Sequence, residues 1–160
     1  MPSFPSVQAH SRSNDLRVAT EIVTVTQLPT ASAGHFIVQN HYMGINATDI
    51  NVTQGFYPSC TSPPFGCGLG ATGVITEVRE GVTSVNVGDA VLNQKIGTFA
   101  EYVELPAEML IKTEEVTLVL LLIAVCGISA SIALEYVGHL ATNETALVTA
   151  AAGGTGQFAV

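Results

Sequence analysis

The residues with the clearest capacity for chemistry lie at the end of the sequence, in the stretch LVTAAAGGTGQFAV. Gly153, Gly154 and Gly156 follow an alanine-rich, β-branched run, with the spacing Ala150-x-x-Gly153-x-x-Gly156. Glycine lets the backbone approach a ligand without a Cβ in the way, and a helix that begins there offers unpaired N–H groups to an anion. The pattern is a variant of the dinucleotide fingerprint and predicts a diphosphate site, with an ordinary glycine-rich loop as the alternative.

Two apolar elements would have to position this glycine cluster. Ala146–Ala150 is predicted to be a buried strand, because the fingerprint requires a parallel strand that runs into it. Farther upstream, no residue from Val116 to Leu134 is charged, and about twenty apolar residues can span a membrane. A glycine and two serines dilute that segment and no basic cluster flanks it. We therefore predict a buried helix from about Glu115 to Leu140, with a membrane span as the alternative.

The first two thirds of the chain have the pattern of a small β domain. Residues 1–15 hold two prolines and four serines and predict a loose, disordered lead-in. Short β-rich runs then alternate with Gly and Pro turns, which is typical of a barrel or sandwich. The predicted strands are Leu16–Thr26, His35–Ile45, Val74–Val78, Ala90–Leu92 and Phe99–Leu105. A loop is predicted from Gln54 to Gly70, and a short helical turn at PAEML.

Charge and cysteine content exclude several classes of protein. Five Lys and Arg stand against thirteen Asp and Glu, giving a net charge of -8. Nucleic acid and anionic membrane surfaces need clustered cations, so neither is predicted as a partner. Three cysteines do not build a disulfide framework, and no secretory signal opens the chain. We predict a cytoplasmic protein, with peroxisome and mitochondrion as alternatives.

Several motifs along the chain occur in an order and at a spacing that are typical of one family of proteins. They are GINATDIN, PPFGCGLGATGVITEV, VGDAV, GTFAEYVELPA and LVTAAAGGTGQFAV. In these motifs the sequence resembles the medium-chain dehydrogenase/reductase superfamily, in its zinc-free quinone-oxidoreductase-like branch. The resemblance implies a mainly β GroES-like barrel, the catalytic domain, over residues 16–112. Residues 113–160 would then be a connector helix and the first strand of a truncated α/β Rossmann domain, which gives the apolar helix a soluble setting.

The resemblance also bears on metal binding. Zinc-dependent relatives place Cys where this chain has Asn46, and a His-Glu pair where it has Leu69 and Gly70. A catalytic zinc needs three N, S or O ligands around one open position. We therefore predict no zinc.

The chemistry that the resemblance implies is hydride transfer from NADPH, with NADH not excluded, to an enone such as a 15-oxoprostaglandin-like ketone, or to a quinone. Asn46 would contact cofactor or substrate, and Tyr57 would line the substrate pocket. A turn residue and a packing aromatic are their respective alternatives, and Asp49 is predicted to cap a helix. The full-length form would be a homodimer. The cofactor residues would be Asn46, Ser129, Ala150, Ala152, Gly153, Gly154, Thr155 and Gly156.

Departures from the family pattern leave a second class of function open. Relatives carry Glu where this chain has Gly70, and Gly-Thr-Thr-Ala where it has Gly127-Ile128-Ser129-Ala130. The tyrosine common nearby is Ser131. These changes favour the alternative of a catalytically inactive GroES-like binding or scaffold module. Only four residues follow Gly156, so we also predict that this chain, an N-terminal fragment of such a reductase, is inactive by itself.

Overall fold

A computed structural model describes residues 3–57 and 62–160 of the chain. The chain divides into two compact units, Met1–Thr117 and Leu118–Val160. The first unit is built mainly of strands, as predicted. They are β1 (Phe4–Ala9), β2 (Thr20–Val25), β3 (His35–Met43), β4 (Phe65–Gly66), β5 (Ala71–Val78), β6 (Ala90–Asn93), β7 (Tyr102–Pro106) and β8 (Ile111–Lys112). Two helices, α1 (Leu16–Ala19) and α2 (Ala47–Gln54), and a 3-10 turn at Ala107–Met109 complete this unit.

The strands of the first unit form two antiparallel sheets. One has the order β2-β1-β4 and the other the order β7-β3-β5-β6-β8. In β7, buried and half-buried residues alternate, as a strand with one face on the core requires. The apolar core draws on both sheets and consists of Phe4, Phe36, Val38, Ile75, Val82, Val85, Val91, Ala100, Val103 and Leu105.

The prediction of a loose lead-in over residues 1–15 is wrong for Phe4–Ala9. Phe4–Ala9 is a strand that pairs with β2 along its whole length, from Phe4 opposite Val25 to Ala9 opposite Thr20. Pro5 does not prevent this. The N–H of Val7 donates to Phe99, on the side away from β2, and Pro5 shares that orientation because alternate residues of a strand point their bonds to the same side. The burial of Phe4 and Ala9 stabilises this strand within a lead-in that is rich in serine.

Other predictions for the first unit are largely confirmed. Strands occupy the predicted positions that begin at His35, Val74, Ala90 and Phe99, within a few residues at each end. The strand predicted from Leu16 instead starts with the helical turn α1, because Asp15 caps it by accepting a hydrogen bond from the Arg17 N–H at 2.9 Å. The loop predicted over 54–70 contains the two-residue strand β4, and its residues 58–61 lie outside the described part of the chain.

The second unit contains one long helix, α3 (Leu118–Val137), in which α-helical and π-helical turns alternate. It has a mean hydropathy of 2.4 and is long and apolar enough to cross a membrane, a test that core helices of soluble proteins also pass. The strand predicted over Ala146–Ala150 does not form, and Leu147 is 91% exposed. A parallel strand is stable only between neighbouring strands, and the described residues of this unit supply none.

Candidate functional site

Asn46 lies between the end of β3 and the start of α2. Its backbone is extended (φ -141°, ψ 170°), and its Oδ1 accepts a hydrogen bond from the Thr48 N–H at 2.8 Å. The Asp49 carboxylate accepts in turn from the Asn46 N–H at 2.8 Å, which completes a capping box. Among the described residues, Asn46 thus uses its side-chain oxygen as an acceptor and its backbone N–H as a donor. The carboxamide nitrogen Nδ2 of this half-buried side chain is left to donate to a ligand.

Asp49 fulfils the predicted capping role from a buried position. Only 2% of the residue is exposed, and burial raises the pKa of its carboxyl group, while the hydrogen bond from the Asn46 backbone acts to lower it. Its second oxygen, Oδ1, is buried without a hydrogen-bond partner among the described residues. The carboxyl group thus stabilises the cap by accepting the hydrogen bond from the Asn46 N–H.

A cavity of about 420 Å³ is lined in part by Ile45, the residue before Asn46, and we call it the apolar groove; Asn46 itself is not among its lining residues. Met43 and Ile45, which lead from β3 into the cap, form part of its wall. Its remaining lining residues are Pro5, Ser6, Val7, Ile22, Phe99, Ala100 and Glu101. Tyr57 is not one of them: it is 40% exposed at the edge of the undescribed residues 58–61, so its pocket role stays a prediction.

The glycine cluster folds as a compact turn in the second unit. The Gly153 N–H donates to the carbonyl of Ala150 at 2.9 Å, and the Gln157 N–H donates to Gly153 at 3.0 Å. A Cβ on Gly156 would overlap the Ala150 carbonyl, so glycine is required there for packing alone. The helix expected after the cluster is a single 3-10 turn, Gly156–Phe158.

Four of the predicted cofactor residues line one cavity of about 410 Å³ within this unit: Ala150, Gly153, Thr155 and Gly156. Ala130, Ala133 and Leu134 of α3 form another part of its wall. Ala152 and Gly154 are not among its lining residues, and a Cβ on Gly154 would lie 2.9 Å from Cys126 Sγ. The turn and the helix of this unit thus line one common cavity.

Comparison with known proteins identifies the first unit. Residues 32–115 match the family described as the alcohol dehydrogenase GroES-like domain. The chain belongs to this family. Within it, the GroES-like chain falls in the quinone-oxidoreductase-like branch of the medium-chain dehydrogenase/reductase superfamily, as its motifs predict.

Two curated relatives illustrate this placement. The GroES-like chain is 39% identical over 158 residues to a probable quinone oxidoreductase of Leishmania amazonensis, a match that takes in 99% of this chain and 46% of the relative. It is 40% identical over 134 residues to prostaglandin reductase-3 of Mus musculus, with 83% of this chain and 36% of the relative included. The chain thus spans less than half the length of these relatives.

Solved structures have the same fold. A probable oxidoreductase from Mycobacterium abscessus superimposes with a TM-score of 0.82 at 27% identity, over 99% of this chain and 51% of that one. A mycobacterial protein solved in complex with NADPH gives a TM-score of 0.78 at 25% identity, over 99% of this chain and 48% of the other. Both matches include the apolar helix as well as the GroES-like barrel.

The remaining predicted site residue, Ser129, lies on α3 of the GroES-like chain. Its hydroxyl donates to the carbonyl of Val125 at 2.6 Å, so the hydroxyl hydrogen is already used in a hydrogen bond to the helix backbone. Ser129 and the glycine cluster belong to the second unit, while Asn46 and Tyr57 belong to the first.

No metal site is seen in the part of the chain that the structure describes. In residues 3–57 and 62–160, no three His, Cys, Asp or Glu side chains gather in a group of metal-binding size. Asn46 and Leu69 offer neither imidazole nor thiolate, and Cys60 lies outside the described residues. The absence of zinc stays a prediction.

Sequence reasoning missed the apolar groove. Its wall comes from four separate segments, at residues 5–7, 22, 43–45 and 99–101, and no single stretch carries its pattern. The one local signal is the pair of apolar residues shortly before Asn46, Met43 and Ile45, of which Ile45 is 78% exposed. Single exposed apolar residues are common on protein surfaces, so this signal is too weak to predict a groove.

Proposed function

We propose that this chain contributes the substrate side of an oxidoreductase that reduces the carbon–carbon double bond of α,β-unsaturated ketones, or quinones, with NADPH as reductant. The observation that carries the proposal is the Asn46 carboxamide, whose oxygen is held by the helix and whose Nδ2 is left to donate. The apolar groove, which Ile45 lines directly before Asn46 in the chain, offers about 420 Å³ for an apolar substrate. The names of the relatives, a quinone oxidoreductase and a prostaglandin reductase, support the same class of reaction.

In this proposal Asn46 acts on the ketone oxygen of the substrate. When bound, NADPH supplies a hydride to the β-carbon of the enone, and the electron pair of the double bond moves toward the ketone oxygen. The Asn46 Nδ2–H group donates a hydrogen bond to that oxygen, where negative charge develops. Water then protonates the α-carbon, so the reaction requires no dedicated acid from the chain.

In this proposal the diphosphate binds at the glycine cluster. The cavity of about 410 Å³ there is lined by Thr155 and small residues, and also by Leu134, Leu147 and Val148. Ala150, Gly153, Thr155 and Gly156 would hold the diphosphate from this cavity, with Ala152 and Gly154 beside it. Asn46 and Ser129 would contact the cofactor elsewhere. NADPH is preferred because a solved relative was crystallised with it, and NADH is the alternative.

A chimeric protein tests the reductase proposal. Residues 1–160 are joined to the part of the Leishmania relative that lies beyond the match, and the product is assayed for NADPH-dependent consumption of enones and quinones. We expect turnover, and we expect Asn46→Ala to lower kcat/KM by about 100-fold, as loss of one oxyanion donor does. Asn51→Ala, an exposed change on the same helix, is the matched control and should leave kcat/KM unchanged. A folded chimera that ignores every enone and quinone contradicts the proposal.

The second candidate function is an inactive GroES-like binding or scaffold module. Ile128 favours it, because this residue is 50% exposed where relatives carry a hydroxyl. The double substitution Ile128→Thr and Ser131→Tyr in the chimera separates the two functions. Turnover that appears only in the restored variant assigns the natural chain to the inactive class, whereas turnover in both assigns it to the reductases.

We further propose that the protein is cytoplasmic, with peroxisome and mitochondrion as alternatives, and that α3 is a connector helix rather than a membrane span. Gly127, Ser129 and Ser131 lower the apolar character of its second half, and Glu135 lies within it. Alkaline carbonate extraction of cells that express the chain should leave it in the supernatant. Retention in the membrane pellet contradicts this expectation. The full-length form is proposed to be a homodimer that binds no nucleic acid.

A further inference from the structure

A buried polar cluster lies inside the first unit, on the core side of the apolar groove. It consists of Asn40 on β3, Asn93 at the end of β6 and Thr98 in the connection to β7. Asn93 and Thr98 have no exposed surface, and Asn40 is 5% exposed. Polar side chains at such depth are retained only when they have hydrogen-bond partners.

Hydrogen bonds fix the orientation of both carboxamides in this cluster. Asn40 Nδ2 donates to the carbonyls of Thr98 at 3.1 Å and Ala100 at 2.9 Å. Carbonyls only accept, so the oxygen of the Asn40 side chain must point the other way. That oxygen accepts from Asn93 Nδ2 at 3.1 Å, which leaves Asn93 Oδ1 as an acceptor that requires a donor.

Two atoms of the cluster have no hydrogen-bond partner among the described residues. They are Asn93 Oδ1 and Thr98 Oγ1. Asn93 through its side chain and Thr98 through its backbone carbonyl are bonded to the same Asn40 carboxamide, so both residues belong to one region of the core. Another buried hydroxyl, that of Thr72, provides a contrast, because it donates to the Val91 carbonyl at 3.0 Å and is satisfied within the protein.

We propose that one internal water molecule binds between Asn93 Oδ1 and Thr98 Oγ1. The water donates one hydrogen to the Asn93 oxygen and accepts the hydroxyl hydrogen of Thr98, which gives each orphaned atom a partner. Buried waters of this kind make two to four hydrogen bonds to groups that otherwise have none. A direct bond between the two side chains is the competing arrangement.

The position of this water connects it to the apolar groove. Asn40 holds the carbonyls of Thr98 and Ala100, and the next residues along the chain, Phe99 to Glu101, form one wall of the groove. A water bonded to Asn93 and Thr98 therefore connects this wall to β6 through hydrogen bonds. Its role is to hold the groove in shape, and it is independent of the proposed reaction.

The experiment is a high-resolution crystal structure of the full 160-residue chain together with water-to-protein NOE measurements in solution. We expect one water about 2.7–3.2 Å from both atoms and a long-lived water NOE at Thr98. Thr98→Val should abolish this NOE and Thr98→Ser should retain it. The matched control Thr72→Val, which removes a hydroxyl bonded to protein, should leave the NOE in place.

Two results overturn the proposal. One is a crystal structure in which the Thr98 hydroxyl donates directly to Asn93 Oδ1, and the other is a cluster with no water density and no NOE at Thr98. Both readouts on the unsubstituted chain decide the question even where Thr98→Val does not fold.

Discussion

At the scale of single residues, Asn46 combines a structural and a proposed chemical role in one carboxamide. Its oxygen caps α2 and its nitrogen is available to a ligand. The two alternatives that the sequence leaves open, turn residue and ligand donor, are therefore compatible, because they use different atoms. The capping box fixes which atom is used by the cap.

The structural role of Asn46 predicts a measurable loss of stability. Asn46→Ala should lower the free energy of unfolding by about 1 kcal/mol, since the Thr48 N–H loses its acceptor. Asn46→Ser should restore most of that loss, because a serine hydroxyl caps equally well. Urea denaturation followed by circular dichroism measures both, with Asn51→Ala as the control that keeps the cap. Equal stability of the alanine and serine variants would contradict the capping argument.

Asp49 predicts a pH dependence with a definite sign. Burial raises its pKa in the folded state above the value of about 3.9 expected in the unfolded chain. Between these two values the folded state binds more protons, so its contribution to stability is present at low pH and is lost as pH rises through the folded pKa. Asp49→Asn keeps an oxygen for the Asn46 N–H and does not titrate. Its stability relative to the natural chain should therefore increase from pH 4 to pH 7, and a constant difference would refute the assignment.

At the scale of elements, β1 is part of the core rather than a tail. Phe4 is buried, and its ring meets Tyr102 edge-on with the centroids 5.4 Å apart. Phe4→Ala should lower the free energy of unfolding by about 3–5 kcal/mol, the usual cost for a buried phenylalanine. Val18→Ala, a truncation at a residue that is 60% exposed, is the control and should change stability by less than about 0.5 kcal/mol. A small effect at Phe4 would mean that β1 is dispensable.

The pairing of β3 with β5 depends on a glycine. A Cβ on Gly73 would overlap the carbonyl of Gln39 and come within 2.8 Å of Asn40 Cα, at a point where the register shifts. Gly73→Ala should therefore lower the free energy of unfolding by about 3 kcal/mol. Gly34→Ala is the comparison, because only its φ of 76° opposes a side chain there and the cost should be about 1–2 kcal/mol. Urea denaturation should therefore give a lower midpoint for Gly73→Ala than for Gly34→Ala, and the reverse order would contradict this expectation.

At the scale of the whole molecule, the two units differ in how much of their apolar surface each buries by itself. The first unit closes a core between two sheets. In the second unit, α3 remains largely exposed and the glycine turn leads only into a 3-10 turn. A diphosphate would therefore meet few free N–H groups and a minimal helix dipole.

This contrast predicts that the 160-residue chain does not bind NADPH with useful affinity. A fluorescence titration with NADPH should show no saturable binding at micromolar concentrations, because the Gly153 and Gln157 N–H groups are already bonded within the turn. The chimera described above is the positive control and should saturate. Micromolar saturation by the chain alone would overturn the prediction.

The sequence by itself determined the mainly β first unit, its family and the capping role of Asp49. Each rests on local information: alternation at β7, a carboxylate that follows a predicted turn residue, and motifs read in order. Only the tertiary structure decided the fate of β1 and of Ala146–Ala150. Phe4–Ala9 belongs to a serine-rich lead-in but becomes a strand because β2 and the core lie beside it.

Ala146–Ala150 has the composition of a buried strand, yet it stays irregular because no described strand of its unit lies beside it. The apolar groove and the buried Asn40–Asn93–Thr98 cluster likewise arise where distant segments meet. The physical reason is common to all four cases. Strand pairing and burial are interactions between segments far apart in the chain, and the composition of one segment does not reveal what packs against it.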